Sequence, residues 1–498
     1  MASFTGETMT YHRRSAVFAG MTALVCTISL ACGGAPAASS TASAGASKTA
    51  AAAGGAKSLA VAARVPGQPP RSAVVLSGSY FSYPNRSGAE KVAIRNRVIN
   101  TINSTWGLYT DSNGDARRGK ILMTTWSFND WGVREALVNA VKRGTTVRII
   151  AAKSINEKMR YKPWSSLRTA INKTTRGWAR VDPTNIAKQC SGACRGGGGT
   201  PHSKYFLFDD TGSAHQRNVV MQTSMNLTAF AYKGQWNQAT VYKSAGIFDH
   251  FRAIFDQSLD DRNRGSGAYS RRTIGSVTDV FFPGGKASLD PVMSMLNRVR
   301  CKGATSGGTN GRTRVRVIQY AIHETRGNMI AKKLRGLWAA GCDVRIIYSV
   351  SSRPVLKILR SRSGRGPMPV KQSVIRNRKG DIVKYNHSKW VGVSGYYGSS
   401  RGSWTVHAGS SNWSDIAYRS DEQMQQFFGY SRARSYFTTF SKTWGQSTSK
   451  PPRYGRVMAA NRTLAPQQEA ALQEEALEDV PEQPTFGEGQ YKYMLEGG

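Results

Sequence analysis

The chain has 498 residues, with 69 Lys and Arg against 30 Asp and Glu, for a formal net charge of +39. Its length allows about three domains and excludes a minimal scaffold unable to bury a core. The charge excludes an ordinary balanced surface and favours anionic partners such as nucleic acid, an anionic membrane surface or an acidic wall polymer, although charge alone reports only solubility and non-specific attraction.

In chain order, residues 1–32 read as an export signal. His12-Arg13-Arg14 forms a basic start, and Ser15 to Ala31 is an apolar, small-residue run too short for a membrane span. Leu30-Ala31-Cys32-Gly33-Gly34 resembles a bacterial lipobox, with Cys32 as the lipidated residue, and Arg13-Arg14 resembles a twin-arginine signal. The expected destination is extracytoplasmic, either secreted or anchored to a bacterial envelope. Residues 33–72 are Ala, Ser and Gly with scattered Lys and Pro, a composition that cannot bury enough apolar surface to fold, so a disordered linker is expected.

From residue 73 a strand, helix, strand order is legible. Lys120 to Trp126 reads as a strand, Gly132 to Arg143 has apolar residues at helical spacing, and Thr146 to Ala151 is a second strand. Such a βαβ unit builds a parallel sheet with a right-handed crossover. The unit returns as a strand over Thr313 to Tyr320, a helix over Asn328 to Ala340, and Gly341-Cys342-Asp343-Val344-Arg345-Ile346-Ile347, which repeats Gly144-Thr145-Thr146-Val147-Arg148-Ile149-Ile150. A tandem duplication follows, with lobes over 73–285 and 286–455.

Each lobe then carries a basic strand motif. The first is His202-Ser203-Lys204, with Asp209 five residues beyond the lysine; the second is His387-Ser388-Lys389, with Ser394 at that position. Alternation along a strand puts histidine and lysine on one face and Ser203 and Ser388 on the other. Asn226, in Thr223-Ser224-Met225-Asn226, follows His202 by 24 residues, and Asn412, in Gly409-Ser410-Ser411-Asn412, follows His387 by 25. Asn237 and Glu422 each follow their histidine by 35. The other histidines, His12, His215, His250, His323 and His407, have no matched partner. Trp126 and Trp404 read as core or as channel lining.

Four cysteines remain beyond the signal, Cys190, Cys194, Cys301 and Cys342, an even number for an oxidising compartment with three pairings open. Proximity favours Cys190 with Cys194 and Cys301 with Cys342, over a zinc site for which no second ligand pair stands at suitable spacing. Residues 456–498 form an acidic tail. From Thr463 onward eight acids face Lys492 alone, so that segment is net −7 and the remainder +46. A solvated tail is the plain reading and an electrostatic lid on the basic body the sharper one.

The duplicated His-x-Lys set, with its Ser-x-Asn elements and later polar residues, resembles the phospholipase D superfamily over roughly residues 73–445. The resemblance implies a two-lobed α/β fold with pseudo-twofold duplication, each lobe a mixed, largely parallel β-sheet flanked by helices. It implies an active site between the lobes and cleavage or transfer of phosphodiesters through a phosphohistidine, with no metal or other cofactor.

Chemistry asks for the same residue types. Cations and amides must surround the phosphoryl oxygens, for which Lys204, Lys389, Ser224, Asn226, Ser410 and Asn412 are candidates, and histidine can serve as both nucleophile and acid near neutral pH. The resemblance implies His202 as nucleophile and His387 as acid, with Asp209 in the motif. If each later polar residue orients the histidine of its own lobe, Glu422 supports an imidazolium at His387 and Asn237 leaves His202 neutral. Ser394 brings no charge to support Lys389, so weakened activity or a non-catalytic protein binding anionic envelope polymer is a consequence to test. The expectation is a monomeric, secreted phospholipase D-like enzyme hydrolysing or transphosphatidylating phospholipid at an anionic membrane surface. The alternative is a secreted nuclease, for which the charge speaks but no nucleic-acid module does.

Overall fold

In this computed structural model the described residues are 67–71, 73–172, 181–446, 477 and 480–494. The expected signal segment, Cys32 and most of the linker lie outside them. Two mixed sheets, flanked by helices, make an α/β architecture.

The first sheet has nine strands. From Val374–Arg376 and Ile382–Asn386 it runs through Gln235–Lys243, Val219–Thr223, Tyr205–Asp209, Lys120–Thr125 and Thr146–Ala152 to Ile186–Cys190, and Gly78–Ser82 also pairs with Gln235–Lys243. The second has eight, in the order Ser270–Ile274, Val277–Phe281, Gln423–Phe428, Ser400–Gly409, Lys389–Tyr397, Arg314–Ile322, Asp343–Ser351 and Val370–Gln372. The expected βαβ units are present. Helix Trp131–Lys142 links Lys120–Thr125 to its parallel neighbour Thr146–Ala152, and helix Glu324–Ala339 links Arg314–Ile322 to Asp343–Ser351. Val133, Leu137 and Val141, at helical spacing, put one apolar face of the first helix into the core with Ile121, Met123 and Ile149. Asp130 caps that helix by accepting from Val133 N–H.

Two expectations need correcting. Parallel pairing is largely confined to the βαβ third of each sheet, because each histidine strand runs antiparallel to both of its neighbours. The lobe boundary at 285 also falls too late. Strands Ser270–Ile274 and Val277–Phe281 belong to the second sheet, where Val277–Phe281 pairs with Gln423–Phe428 as Gly78–Ser82 pairs with Gln235–Lys243. The second sheet therefore already takes in the chain from Ser270 onward. Conversely, Val374–Arg376 and Ile382–Asn386 cross to the first sheet.

Both expected disulfides are present, Cys190–Cys194 and Cys301–Cys342. Helices Ala245–Asp260 and Tyr430–Gly445 contribute Phe251, Phe255, Tyr436 and Phe440 to an apolar cluster shared with residues of both sheets. This common core fixes the two histidine strands relative to one another, since close-packed interiors do not slide freely. Among the described residues no helix is long and apolar enough to cross a membrane.

Candidate active site

His202 and Lys204 lie on the extended lead-in to strand Tyr205–Asp209, while His387 immediately precedes the strand that begins at Lys389. All four side chains are buried. Each histidine is tied by its backbone to the opposite half of the chain: His202 N–H donates to Asp421 O at 2.9 Å, and His387 N–H to Trp236 O at 2.9 Å. The next residue in each partner strand meets the ring. His202 Nδ1 lies 2.8 Å from Glu422 Oε1, and His387 Nδ1 lies 3.0 Å from Asn237 Oδ1.

The pairing is thus crossed, which overturns the expectation that Glu422 serves His387 and Asn237 serves His202. The cause is topological. Strand Gln235–Lys243 begins by pairing in parallel with Ile382–Asn386, and Asp421 bridges to Pro201, so each polar residue is delivered beside the histidine of the other repeat.

Partners define the proton positions. A carboxylate only accepts, so His202 donates from Nδ1 and leaves Nε2 as the ring nitrogen not turned to Glu422. The Asn237 amide is oriented by Ser224 Oγ donating to Oδ1 at 2.8 Å and by its own Nδ2 donating to Ala231 O at 2.9 Å. His387 therefore also donates from Nδ1. Its Nε2 is engaged by Lys389 Nζ at 2.8 Å, and Lys389 Nζ donates to His387 O at 3.1 Å. Lys204 Nζ donates to His202 O at 2.7 Å. Trp126 presents its edge to the His202 ring at 6.2 Å, and Tyr320 lies 4.8 Å from the His387 ring. Trp404 instead packs with Tyr430 and Phe437, remote from the histidine contacts.

Several candidates serve a different purpose from the one their spacing suggested. Ser410 Oγ donates to Glu422 Oε2 and accepts from Gln423 N–H, as Ser224 Oγ accepts from Gln238 N–H. Both hydroxyls hold the histidine partners. Asn226 and Asn412 are buried in the turns that follow Val219–Thr223 and Ser400–Gly409, and Arg326 secures the second turn by donating to Asn412 O at 2.6 Å. Asp209 is not at the centre. It ends its strand, on the order of 15 Å of extended chain from Lys204, and receives Arg217 in a bidentate pair at 2.7 and 2.9 Å. Ser394, its counterpart, accepts from Arg314 Nε at 3.0 Å and donates to Gly307 O at 2.8 Å. The missing second aspartate therefore removes no charge from the histidines.

Gln238 and Gln423 went unnoticed in the sequence. Gln423 Oε1 accepts from Lys204 N–H at 2.8 Å while its Nε2 donates to Lys204 O at 3.1 Å, and Gln238 Oε1 accepts from Lys389 N–H at 3.2 Å while its Nε2 donates to Gly409 O at 3.0 Å. Each is a two-sided clamp reaching the opposite repeat. The signal was present: glutamine stands 36 residues after each histidine.

Asp421, next to Glu422, also went unremarked. Burial pushes its carboxyl up to about 7, against the opposing effects of Arg195 and of the Cys194 N–H that donates to it. It links the Cys190–Cys194 loop to the backbone of His202. Among the described unmatched histidines, His215 meets Asp210 at 2.6 Å, His250 meets Asp279 at 3.2 Å, and burial pushes His407 down to about 4.

Residues 115–259 match the family described as "Cardiolipin synthase, PLD-like domain". A comparison with curated proteins finds no match. Among solved structures, a polyphosphate kinase from Porphyromonas gingivalis aligns at 12% identity over 74% of this chain and 50% of its own, with a TM-score of 0.47, so the chain spans half the length of that protein. Phosphatidylserine synthase from Haemophilus influenzae aligns at 11% identity over 72% of this chain and 85% of its own, with a TM-score of 0.46. The phospholipase D family member Nuc from Salmonella typhimurium aligns at 18% identity over 37% of this chain and 96% of its own, with a TM-score of 0.27.

Proposed function

We propose that this chain, a member of the phospholipase D superfamily, is an extracytoplasmic phosphodiesterase that cleaves phospholipids through a phosphohistidine on His202. The observation that carries the reading is the crossed pair of rings, one backed by a carboxylate and the other by an amide.

His202 Nε2 attacks phosphorus as the bond to the leaving oxygen breaks. Once Nε2 is bonded to phosphorus the ring is positive with Nδ1 still protonated, and Glu422 faces that charge. The lone pair of His387 Nε2 is already engaged by Lys389, which favours His202 for the attack. To act as acid His387 must carry a proton at Nε2 in place of the Lys389 contact, Lys389 Nζ keeping its bond to His387 O, and the departing alkoxide takes that proton. An imidazolium there faces a neutral amide and an ammonium, so giving up the proton relieves charge repulsion. In the second half-reaction His387 takes a proton from water, the oxygen attacks phosphorus, and the P–N bond breaks; an alcohol in place of water gives transfer. Lys204, Lys389, Asn226 and Asn412 are the groups proposed to face the phosphoryl oxygens.

A rim feature favours lipid over nucleic acid. Strands Phe128–Asn129 and Leu227–Thr228 pair in parallel, and two residues beyond the paired Asn129 and Thr228 stand Trp131 and Phe230, 56% and 39% exposed. Phe230 follows the Asn226 turn, and exposed aromatics on a strongly basic protein suit the headgroup level of an anionic membrane. The two disulfides are consistent with an extracytoplasmic location.

The test is rapid-quench trapping with ³²P-labelled phosphatidylcholine and, in parallel, ³²P-labelled DNA in EDTA. Label on His202 from the lipid, lost in His202→Asn and persisting in His387→Asn, is the expected result. Label from DNA alone would replace the lipid reading with the nuclease one, and no label from either would end the catalytic reading.

A further inference from the structure

The acidic tail is not simply solvated. Its described part, Leu477 and residues 480–494, lies on the second half of the chain, and apolar contacts hold it more than charge does. Leu477, Tyr491 and Met494 are 2%, 6% and 0% exposed. Tyr491 and Met494 share an apolar cluster with Tyr320 and Tyr385, and the Phe486 ring lies 6.1 Å from Tyr320 and 6.2 Å from His323. Tyr320 in turn lies 4.8 Å, and Tyr385 6.2 Å, from the ring of His387. The segment therefore stands one aromatic layer from a proposed catalytic group.

Its two ends are fastened to different elements. Arg353, at the start of helix Arg353–Arg360, donates from its backbone N–H to Pro481 O at 2.9 Å and from Nε to Val480 O at 2.7 Å, and lies 3.6 Å from Glu482. At the other end Lys492 Nζ lies 2.9 Å from Asp381. Between these points the contacts are side-chain packing on the aromatic wall and one hydrogen bond, from Arg376 to Gln490 Oε1 at 2.8 Å. A segment held by contacts near its two ends and a few apolar side chains, with no strand pairing among its described residues, opens at lower cost than the sheets beneath it.

We infer that residues 480–494 form a strap that closes the His387 side of the active site in cis, and that substrate must displace Phe486 and Tyr491 from the Tyr320–Tyr385 wall to reach the histidines. The inference rests on the site reading above. The group next to the scissile phosphate then competes with two aromatic rings, so a bulky apolar neighbour competes better than a small polar one. A chain mostly in its strapped state binds substrate in proportion to its open fraction.

The experiment uses the full-length chain as wild type, as Phe486→Ala/Tyr491→Ala, and as Arg353→Ala, which loosens the strap from outside without touching the wall. With dihexanoyl phosphatidylcholine the expected result is a KM lower by about tenfold in the double variant and by a smaller factor in Arg353→Ala, with kcat little changed. Adding the synthetic peptide 477–498 to either variant should restore the higher KM competitively. Unchanged kinetics in both variants, or a peptide that does not compete, overturns the strap.

A second readout does not need turnover. Diethyl pyrocarbonate should modify His387 about tenfold faster in a folded strap variant than in wild type. Equal rates overturn the inference even if no diester proves to be a substrate, whereas faster modification without turnover would count against the catalytic reading and leave the strap standing.

Discussion

His202 and Glu422 stand 220 residues apart in the chain and 2.8 Å apart in space, and neither is more than 1% exposed at its side chain. A contact of this kind makes each half of the duplication incomplete: the ring of the proposed nucleophile is oriented by a carboxylate from the other half. Replacing Glu422 by Gln preserves the shape but removes the charge that faces the developing phosphohistidine. The turnover rate should fall about a hundredfold or more, with less label trapped on His202. Full turnover in Glu422→Gln would show that the carboxylate takes no part in the step.

The glutamine clamps should matter for stability as much as for activity. Gln423→Ala removes the acceptor of the buried Lys204 N–H, at a cost of roughly 1–3 kcal/mol, while Lys204 O keeps the Thr223 N–H at 3.0 Å. Gln238→Ala should act likewise at Lys389. The two clamps share no hydrogen-bond partner in these contacts, so their effects on the urea midpoint should add in the double variant. A midpoint unmoved by either change would mean that water or a neighbour takes over the lost bonds.

Asp209, at the end of its strand, and Ser394, within the strand Lys389–Tyr397, are expected to take no part in the reaction. Asp209→Ala frees the Arg217 pair, whose side chains are 9% and 54% exposed, and should lower stability by about 1 kcal/mol or less with kcat unchanged. Restoring the family aspartate through Ser394→Asp should leave the rate within a factor of about two, because that side chain meets Arg314 and Gly307 and no histidine. A gain of tenfold or more from Ser394→Asp would place the motif's acid in the chemistry after all.

The duplication, the βαβ units and the histidine strands were legible because each rests on local periodicity or on matched spacing between two copies. The crossing of Glu422 to His202 was not, since spacing along a chain does not say which neighbour a strand will find. Only the parallel contact of Trp236 with Asn386 and the bridge from Pro201 to Asp421 settle it. The same limit misplaced Asp209: a motif of eight letters looks compact in sequence, yet an extended strand carries its two ends far apart. The late lobe boundary has a related origin, because Ser270–Ile274 is largely exposed and lacks the apolar alternation of a core strand.

Asp421 and His407 make opposing predictions for stability against pH. Burial raises Asp421 from 3.8 to about 7, so the folded chain holds a proton there that the unfolded chain releases, and its stabilising contribution, complete below about pH 4, is lost as pH rises through 7. Burial lowers His407 from 6.5 to about 4, so its contribution is complete above pH 6.5 and is lost as pH falls through 4. Between pH 4 and 6.5 the two slopes have opposite sign and partly cancel. Asp421→Asn removes one of them. Relative to wild type, its Tm should rise most at pH 8 and least at pH 4, with a difference on the order of a few kcal/mol at the alkaline end, while its own profile falls more steeply on the acid side. Thermal melts of both proteins from pH 4 to 8 decide it, and parallel profiles would mean that Asp421 is ionised in the folded chain throughout.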